Sequence, residues 1–423
     1  MDGVIARGKD VRKMQMLWIG LLVYNIGYMY SELVDFPSAL IIRLFFYAGL
    51  LLFMYPVLIS IVDIFTTLNR AGRYLKIVMW LTIGWSFVSL LHVGGDGEFS
   101  VGKVVTPYLL LPYMAIVLVL MSSENLLRSF FSIGGKMGYL FFLISVIPLS
   151  STVSFGFIQM LLENFAVFGA FIFLTNKYQS ARNAAFAAVV VLGAILIAAI
   201  LGRRNLMLTF GLYFMFGFIG SVVNGKFKTM ESKIIIVLLC LLLGAGSLYY
   251  YKQESYGTFS TITSRAGENT REDVLLDFLL DMGNPKDLLI GRGFYGTYYC
   301  PNVDKDSDTG ESDDNREVIE NGYLQIILKG GIIYLLLYMM LMIPAIVKGV
   351  KAPNQLSKAC AVIVFVQLVD MLVFGVPTFN IKTFMIWMAV SVCYNKRISG
   401  MTDDEVNEML FVKKRKLMPW EKK

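Results

Sequence analysis

Repeated apolar runs of about 20 residues constrain this chain more than any other feature. They recur along most of its 423 residues and are separated by polar connections. A bilayer core about 30 Å thick is crossed by roughly 20 helical residues, because each residue rises about 1.5 Å. In lipid, the backbone groups of such a run find partners only within a helix or a closed barrel. The sequence therefore predicts an all-α polytopic membrane protein.

About twelve transmembrane helices are predicted by this criterion, the fifth and sixth of which are short. The runs are Met14–Tyr30, Leu40–Val62, Leu75–His92, Val105–Met121, Met137–Leu149, Asn164–Leu174, Ala184–Leu201, Asn205–Val223, Ile234–Tyr251, Tyr323–Ile346, Ala359–Phe374 and Thr383–Tyr394. Ser150–Glu163 is predicted to be either a re-entrant piece or the extension of a tilted helix. Charged residues make up only 16% of the chain, against about 25% in soluble domains.

A long polar segment, Lys252–Asn321, interrupts the series of apolar runs. We therefore divide the chain into an N-terminal transmembrane bundle of about nine spans (1–251), a large loop with short amphipathic helices (252–321), C-terminal transmembrane helices (322–395) and a basic tail (396–423). Loops of this length are usually functional or disordered. The tail from Met401 onward is predicted to form a short amphipathic helix that anchors at the membrane surface.

The basic residues predict the orientation of the spans. Lys and Arg are concentrated in alternate connections and at both ends of the chain, and cytoplasmic connections carry such an excess. Both termini are therefore expected in the cytoplasm and the large loop outside it. The net charge of +7 is spread over these connections. It forms no long basic face with interleaved aromatics, so we expect no nucleic-acid partner.

Cysteine and histidine are scarce. The chain has four cysteines and one histidine, and only Cys300 lies in the polar segment. Neither a disulfide framework nor a metal-ligand spacing can be built from them. We therefore predict no metal and no cofactor.

Arg203 and Arg204 form the most informative polar pair, because they lie in a tight turn between two spans on the predicted outer side. A guanidinium keeps its charge and suits two phosphate oxygens at once. The helix that follows begins at the same point and would favour an anion there. The alternative is that the pair anchors the turn at the membrane interface by snorkelling.

The polar segment carries further candidates. Arg265 and Arg271 flank the start of an amphipathic stretch, Arg271–Met282, whose predicted apolar face is Leu275, Leu276, Leu279 and Leu280. For these arginines, and for Arg292 further on, a surface ion pair is as good an explanation as ligand binding. Glu320 and Asn321 precede the tenth span, where a carboxylate is a candidate general base or the pair simply caps the helix.

Four charged residues lie in or beside apolar runs: Arg43, Glu163, Asp370 and Lys382. Charge inside a membrane is costly enough to suggest function. Snorkelling to the interface is again the alternative, because all four are predicted near the outer ends of their spans.

Between Ala184 and Tyr338 the sequence resembles the O-antigen polymerase and O-antigen ligase superfamily. The similar features come in the same order: an outer turn, LGRRNLML; an arginine-bearing amphipathic helix, SRAGENTREDVLLDFLL; a glycine-punctuated turn, LLIGRGFYG; and a helix start, ENGYLQIILKGGIIYLLLY. The first six spans share only their apolar character with that superfamily.

The resemblance implies a bundle like that of C-type glycosyltransferases, which act without a required metal on sugars linked to undecaprenyl diphosphate. Arg204 or Arg203, with Arg265 and Arg271, would hold the diphosphate. Glu320 would take the proton of the attacking hydroxyl, at the place where the ligases carry histidine. Asn321 and Tyr323 would shape the helix start, and Arg292 is a further substrate-site candidate.

Three functions remain open from the sequence. The first is a polymerase of lipid-linked oligosaccharide repeat units for O-antigen, capsule or exopolysaccharide, with a chain-length regulator as a possible partner. The second is a ligase that transfers glycan to another lipid acceptor, which the missing histidine disfavours. The third is a transporter or flippase of amphiphilic substrates, which should show repeat symmetry and broken helices with polar residues at mid-membrane; the sequence shows neither clearly.

Overall fold

A computed structural model describes residues 2–34, 38–92, 124–150, 154–200, 203–225, 270–301, 315–375 and 378–411. The helices are α1 (Asp2–Leu33), α2 (Ala39–Ile59), α3 (Ile61–Arg70), α4 (Arg73–Leu91), α5 (Asn125–Ser150), α6 (Phe155–Leu161), α7 (Val167–Leu174), α8 (Ala181–Ile200), α9 (Arg204–Val223), α10 (Thr270–Asp281), α11 (Pro285–Ile290), α12 (Gly322–Lys351), α13 (Gln355–Val373), α14 (Ile381–Tyr394), α15 (Lys396–Gly400) and α16 (Asp403–Phe411). Two short strands, β1 (Tyr298–Tyr299) and β2 (Asn315–Arg316), pair antiparallel.

Eight of the described helical segments are long and apolar enough to cross a membrane. The predicted all-α polytopic membrane protein is thereby confirmed. The predicted number of spans is not, because the runs Val105–Met121 and Ile234–Tyr251 lie outside the described residues. The first predicted run is part of the long helix α1, and the last corresponds to α14, an apolar helix of only 14 residues.

Residues Gly156–Leu174 form one membrane-length helical segment, in which the π-helical turn Leu162–Ala166 joins α6 to α7. For Gly156–Glu163 the structure therefore agrees with the predicted helix extension, whereas residues 151–153 lie outside the described residues. A π turn adds one residue to a helical turn, which changes the direction of the side chains on it.

Glycine permits a close backbone contact between α1 and α2. At Gly20 an added Cβ would lie 2.5 Å from the backbone nitrogen of Phe53, and at Gly49 it would lie 2.7 Å from the carbonyl oxygen of Gly20. Small residues of this kind let two helix backbones approach in lipid. The crossing of α1 and α2 therefore depends on the absence of side chains at these two positions.

Connections that carry basic residues meet at one end of the bundle. Lys177 Nζ lies 2.5 Å from Asp403 Oδ2, and Arg128 Nε donates to the carbonyl oxygen of Met409 at 2.7 Å. The turn after α7, the start of α5 and the tail helix α16 therefore share one end of the molecule.

The tail helix does not use its apolar face as an anchor in the membrane surface, as the sequence suggested. Val406, Met409 and Leu410 of α16 are buried against the bundle core. The apolar face of α16 is therefore buried within the protein and does not face the membrane surface. Residues 412–423, which carry the basic end of the tail, lie outside the described part of the chain.

The described part of the polar segment has a small core of its own. Its buried members come from α10, the strands and the start of α12: Phe278, Met282, Tyr298, Cys300, Ile319 and Leu328. This arrangement corrects the predicted apolar face of α10. Leu275, Leu276, Leu279 and Leu280 are exposed, between 41% and 71%, because the larger Phe278 and the neighbouring Met282 occupy the face that packs inward.

Helix α12 is broken near its start. Gly331 has a φ of +71°, and an added Cβ there would lie 2.1 Å from the carbonyl oxygen of Leu289 at the end of α11. A residue without a side chain is required because the backbone of α11 occupies that space. The first turns of α12 are therefore tied to the polar segment, while the part after Gly331 runs through the bundle.

Candidate functional site

The C-terminal end of α13 brings together the two segments that the sequence singled out. Asp370 near this end accepts a hydrogen bond from Thr209 of α9 at 2.7 Å. Two residues further on, the carbonyl oxygen of Leu372 accepts a hydrogen bond from Asn321, which precedes α12, at 3.2 Å. The starts of α9 and α12 therefore lie at the same end of the bundle, on either side of α13.

Helix direction supports this placement. The opposite end of α9 approaches the start of α13, where a Cβ added at Gly220 would lie 3.4 Å from the side-chain nitrogen of Gln355. Helices α9 and α13 thus run antiparallel. The end of α13 near Asp370 is the end remote from the basic connections, because Asp403 hydrogen-bonds the backbone nitrogen of Gln355 at 2.8 Å.

Arg203 lies directly before α9 and Arg204 is its first residue. The Arg203 side chain is partly buried, and its backbone nitrogen donates to the carbonyl oxygen of Ala198 at 2.8 Å. Arg203 therefore lies between α8 and α9, as predicted, while residues 201–202 lie outside the described residues. Arg271 lies in α10, but its side chain, that of Arg204 and the whole of Arg265 fall outside what the structure describes.

Asn321 adopts the capping role that the sequence offered as one alternative. Its side-chain oxygen accepts hydrogen bonds from the backbone nitrogens of Tyr323 and Leu324 at 3.1 and 3.2 Å. Such caps satisfy backbone donors that a helix start leaves unpaired. Glu320, one residue earlier, is exposed, so the carboxylate proposed as a general base lies at the surface of this helix start.

Tyr323 is tied to α13 as well. Its hydroxyl donates to the carbonyl oxygen of Leu368 at 2.6 Å. Together with the Asn321 bond to Leu372, this contact fixes the start of α12 against the last turns of α13. The two residues therefore position the backbone next to Glu320.

Arg292 is held within the polar segment. Its guanidinium donates to the carboxylates of Asp281 and Asp287 and to the carbonyl oxygen of Thr297, the last at 2.9 Å. The two carboxylates outweigh the opposing effect of burial and raise the pKa of Arg292 above its ordinary value. The side chain joins α10, α11 and the following turn, which is the ion-pair alternative offered for it.

The polar segment is also attached to the membrane helices. The backbone nitrogen of Phe294 donates to the carbonyl oxygen of Ser89 in α4 at 2.8 Å. Lys329, in the first part of α12, is buried and donates to the carbonyl oxygen of Gly296 at 2.8 Å. Residues 270–301 therefore sit over the ends of α4 and α12.

Cys300 is unsuited to nucleophilic chemistry. It lies in the small core of the polar segment, and burial raises the pKa of its thiol above the ordinary value. Because the thiolate is the reactive form, a thiol of this kind is inert at neutral pH.

Three of the four charged residues predicted from apolar runs meet inside the bundle. Lys382 Nζ lies 2.6 Å from Asp370 Oδ2 and 3.3 Å from Glu163 Oε1. All three side chains are almost fully buried. Arg43, in contrast, is exposed on α2. Glu163, Asp370 and Lys382 are called the buried charge cluster below.

Neutral residues that the sequence analysis missed complete this cluster. Asn380 donates to Glu163 Oε2 at 2.5 Å and caps α14 through the backbone nitrogen of Thr383. Thr209 hydrogen-bonds Asp370. An asparagine before an apolar run is a readable helix-cap signal, but its second partner on a distant helix could not be read from spacing.

No group of three or more His, Cys, Asp or Glu residues that could hold a metal ion occurs in the described part of the chain. Comparison with protein-family models, with curated protein sequences and with solved structures finds no match.

Proposed function

We propose that the protein is a membrane glycosyltransferase that polymerises undecaprenyl-diphosphate-linked oligosaccharide repeat units. It would act on the outer face of the bacterial cytoplasmic membrane, with both termini in the cytoplasm and the polar segment outside. Donor and acceptor would both be lipid-linked, and a chain-length regulator is the expected protein partner. The product class, whether O-antigen, capsule or exopolysaccharide, is left open by the proposal.

One observation carries this proposal. The arginine turn before α9 and the carboxylate-bearing start of α12 lie at the same end of α13. The reaction needs both of these chemistries at one place: cationic groups for a departing diphosphate and a base for an attacking hydroxyl. Two segments more than a hundred residues apart in the chain supply them.

The proposed reaction is a single displacement. The acceptor hydroxyl oxygen forms a bond to the anomeric carbon of the donor while the bond from that carbon to the diphosphate oxygen breaks, so the configuration inverts. Glu320 takes the hydroxyl proton. Arg203, Arg204, Arg265 and Arg271 would meet the charge of the departing lipid diphosphate, without a required metal. A well-placed charge stabiliser contributes about two to three orders of magnitude in rate.

Other candidate residues receive supporting roles. Asn321 and Tyr323 hold the helix start against α13, and Arg292 holds the polar segment together through Asp281 and Asp287. We therefore propose that Arg292 stabilises the fold of this segment and does not contact the substrate.

A second candidate function, a transporter or flippase of amphiphilic substrates, is favoured by separate observations. Helix α12 is interrupted at Gly331, and a π turn interrupts the segment that carries Glu163. Broken helices beside buried charge are typical of transporters. The same features are compatible with an enzyme whose site is built at the ends of helices.

Reconstitution separates these functions. The purified protein is placed in lipid vesicles with undecaprenyl-diphosphate-linked repeat units from its own source, with a chelator present, and the glycans are separated on a gel. A ladder spaced by one repeat supports the polymerase. Transfer only to an added lipid acceptor would identify a ligase, and substrate that crosses the vesicle membrane unchanged would identify a transporter.

In the same assay, the variant E320Q tests the proposed base. We expect ladder formation to fall by at least about 10²-fold, because the amide cannot accept the acceptor's proton. E317Q is the matched control, since Glu317 is also exposed and lies three residues earlier; it should keep the wild-type rate. A wild-type rate for E320Q would remove Glu320 from the mechanism.

A further inference from the structure

The charges of the buried charge cluster do not sum to zero when all three groups are ionised. Its three side chains are 3%, 1% and 5% exposed for Glu163, Asp370 and Lys382. Fully ionised, two carboxylates and one ammonium would leave a net charge of −1 inside the bundle. An uncompensated charge in such surroundings is costly, and buried groups commonly change protonation state to avoid it.

In the described structure, the side chains outside the cluster that donate to its two carboxylates are neutral: Thr209 donates to Asp370, and Asn380 and Gln159 donate to Glu163. The π turn that carries Glu163 packs against α5, α6, α7, α8 and α14, and the cluster is completed by α9 and α13. On these elements the other described charged side chains lie elsewhere: Arg128 binds Met409 at the basic end, Lys136, Arg182 and Lys358 are exposed, and Arg203 precedes α9, about 9 Å along the helix axis from Thr209. The Arg204 side chain lies outside the described part of the chain. Helix α12, which packs against α13 and α14, contributes the buried Lys329, which donates to the carbonyl oxygen of Gly296. Helix α6 contributes the neutral Gln159 to Glu163.

A metal cation is poorly suited to supply the missing positive charge. The Lys382 ammonium already lies between the two carboxylates, at 2.6 and 3.3 Å. It holds the position that a cation bridging the two acids would need. A proton requires no such space, because it is carried on a carboxylate oxygen.

The contacts indicate which carboxylate would carry the proton. Asp370 has the shorter bond to Lys382 and also accepts the Thr209 hydroxyl at 2.7 Å. Glu163 has the longer contact with the ammonium. Glu163 also accepts hydrogen bonds from Asn380 and Gln159, but both are neutral amides. The ammonium therefore stabilises the charge of Asp370 more than that of Glu163.

A separate observation points to the same place. Tyr213 of α9 is fully buried, and its hydroxyl has no hydrogen-bond partner in the described structure. The same hydroxyl interacts electrostatically with Lys382, Asp370 and Glu163. Buried hydroxyls nearly always have partners. The Tyr213 hydroxyl, which lies beside the cluster, is able to accept a hydrogen bond from a carboxylic acid and to donate one to a carboxylate.

We propose that Glu163, Asp370, Lys382 and Tyr213 form a proton-binding site within the membrane bundle, with the proton on Glu163 at neutral pH. Release of this proton, as pH rises, leaves a net negative charge between α9, α13 and α14. The packing of these helices is then weakened at the end where Arg203 lies. The proposal does not depend on the glycosyltransferase function.

Infrared spectroscopy and thermal stability test this site on the purified full-length protein. The wild type should show the carbonyl band of a protonated, buried carboxylic acid, which diminishes as pH is raised above neutrality. Its melting temperature should fall as pH rises above the unfolded glutamate pKa of about 4.3, because the folded state keeps a proton that the unfolded chain has lost. E163Q should lack the band and keep a melting temperature that is flat with pH.

A second variant covers the case in which E163Q does not fold. D370N leaves one carboxylate opposite one ammonium, so Glu163 should become ionised and the band should again be lost. E32Q is the control, since Glu32 hydrogen-bonds Ser154 away from the cluster; band and pH dependence should remain. A band that persists in D370N and E163Q would overturn the proposal. Stabilisation by sodium at constant pH, lost in E163Q, would also overturn it in favour of a cation site.

Discussion

Asp403 links three parts of the chain through one carboxylate. Its oxygens accept hydrogen bonds from Lys177 Nζ and the Tyr178 hydroxyl, both at 2.5 Å, and from the backbone nitrogen of Gln355. Burial opposes ionisation of Asp403, but these hydrogen bonds outweigh it and lower its pKa below the ordinary value. The ionised form therefore holds α16 against the turn after α7 and the start of α13.

D403N should weaken this attachment. Hydrogen bonds to a charged group contribute about 1.5–3 kcal/mol each when buried, and less here because Lys177 is partly exposed. We expect a lower melting temperature in detergent at neutral pH, whereas D404N, on the exposed side of the same helix, should match the wild type. Because the pKa of Asp403 is lowered on folding, its contribution is present above the unfolded pKa of about 3.9 and is lost as pH falls through the folded value. An advantage over D403N that persists in strong acid would contradict this origin.

Several single-residue features of the site could be read from the sequence. Asn321, Asn354, Asn380 and Asn395 each accept hydrogen bonds from the first backbone nitrogens of the helix that follows. The helix-cap preference of asparagine is local and therefore visible in sequence. The cost of charge in lipid likewise marked Glu163, Asp370 and Lys382. That these three meet could not be predicted, because their contact depends on how distant helices pack.

Helix boundaries were predictable where apolar runs were long, and less so where they were interrupted. Runs such as Leu40–Val62 and Asn205–Val223 correspond closely to α2 and α9. The break in α12 at Gly331 was not predicted, because paired glycines are tolerated within a helix and the break is set by the contact with α11. The apolar face of α10 was assigned wrongly for a similar reason, since leucine spacing alone does not say which face has a partner.

The crossing of α1 and α2 gives a prediction at this scale. In G49A the new methyl group would lie 2.5 Å from the backbone nitrogen of Tyr24. Backbone cannot move aside cheaply, so the helices must separate and the melting temperature in detergent should fall by several degrees, roughly what 1–2 kcal/mol produces. G84A is the matched control, because Gly84 of α4 has nothing within 4 Å of an added Cβ. If both variants melt alike, the close approach contributes nothing to stability.

At the scale of the whole molecule, charge divides the bundle into two ends. Two basic connections, which carry Lys177 and Arg128, contact α16 at one end, and the polar segment with the start of α12 lies at the other. The alternation of charge along the sequence predicts such a division for all the basic connections. The packing of residues 270–301 on α4 and α12 could not be predicted from the sequence. It depends on backbone hydrogen bonds, such as the one from the nitrogen of Phe294 to the carbonyl oxygen of Ser89.

Accessibility labelling tests the proposed orientation. In a background with all four cysteines replaced by alanine, single cysteines are introduced as E317C and D404C, both at exposed positions. A membrane-impermeant thiol reagent should label E317C in spheroplasts and D404C only after permeabilisation. The reverse pattern would place the polar segment in the cytoplasm, and with it the proposed site on the wrong side for an outer-face polymerase.

The short helix α14 has a consequence for biogenesis. All fourteen of its residues are buried by the rest of the protein, and its length of about 21 Å falls short of a hydrocarbon core about 30 Å thick. A segment of that length carrying Lys382 would partition poorly into lipid by itself as it leaves the ribosome. Insertion of α14 therefore requires that Glu163 and Asp370 are already in the membrane. This helix depends on a surface formed by the helices that precede it in the chain.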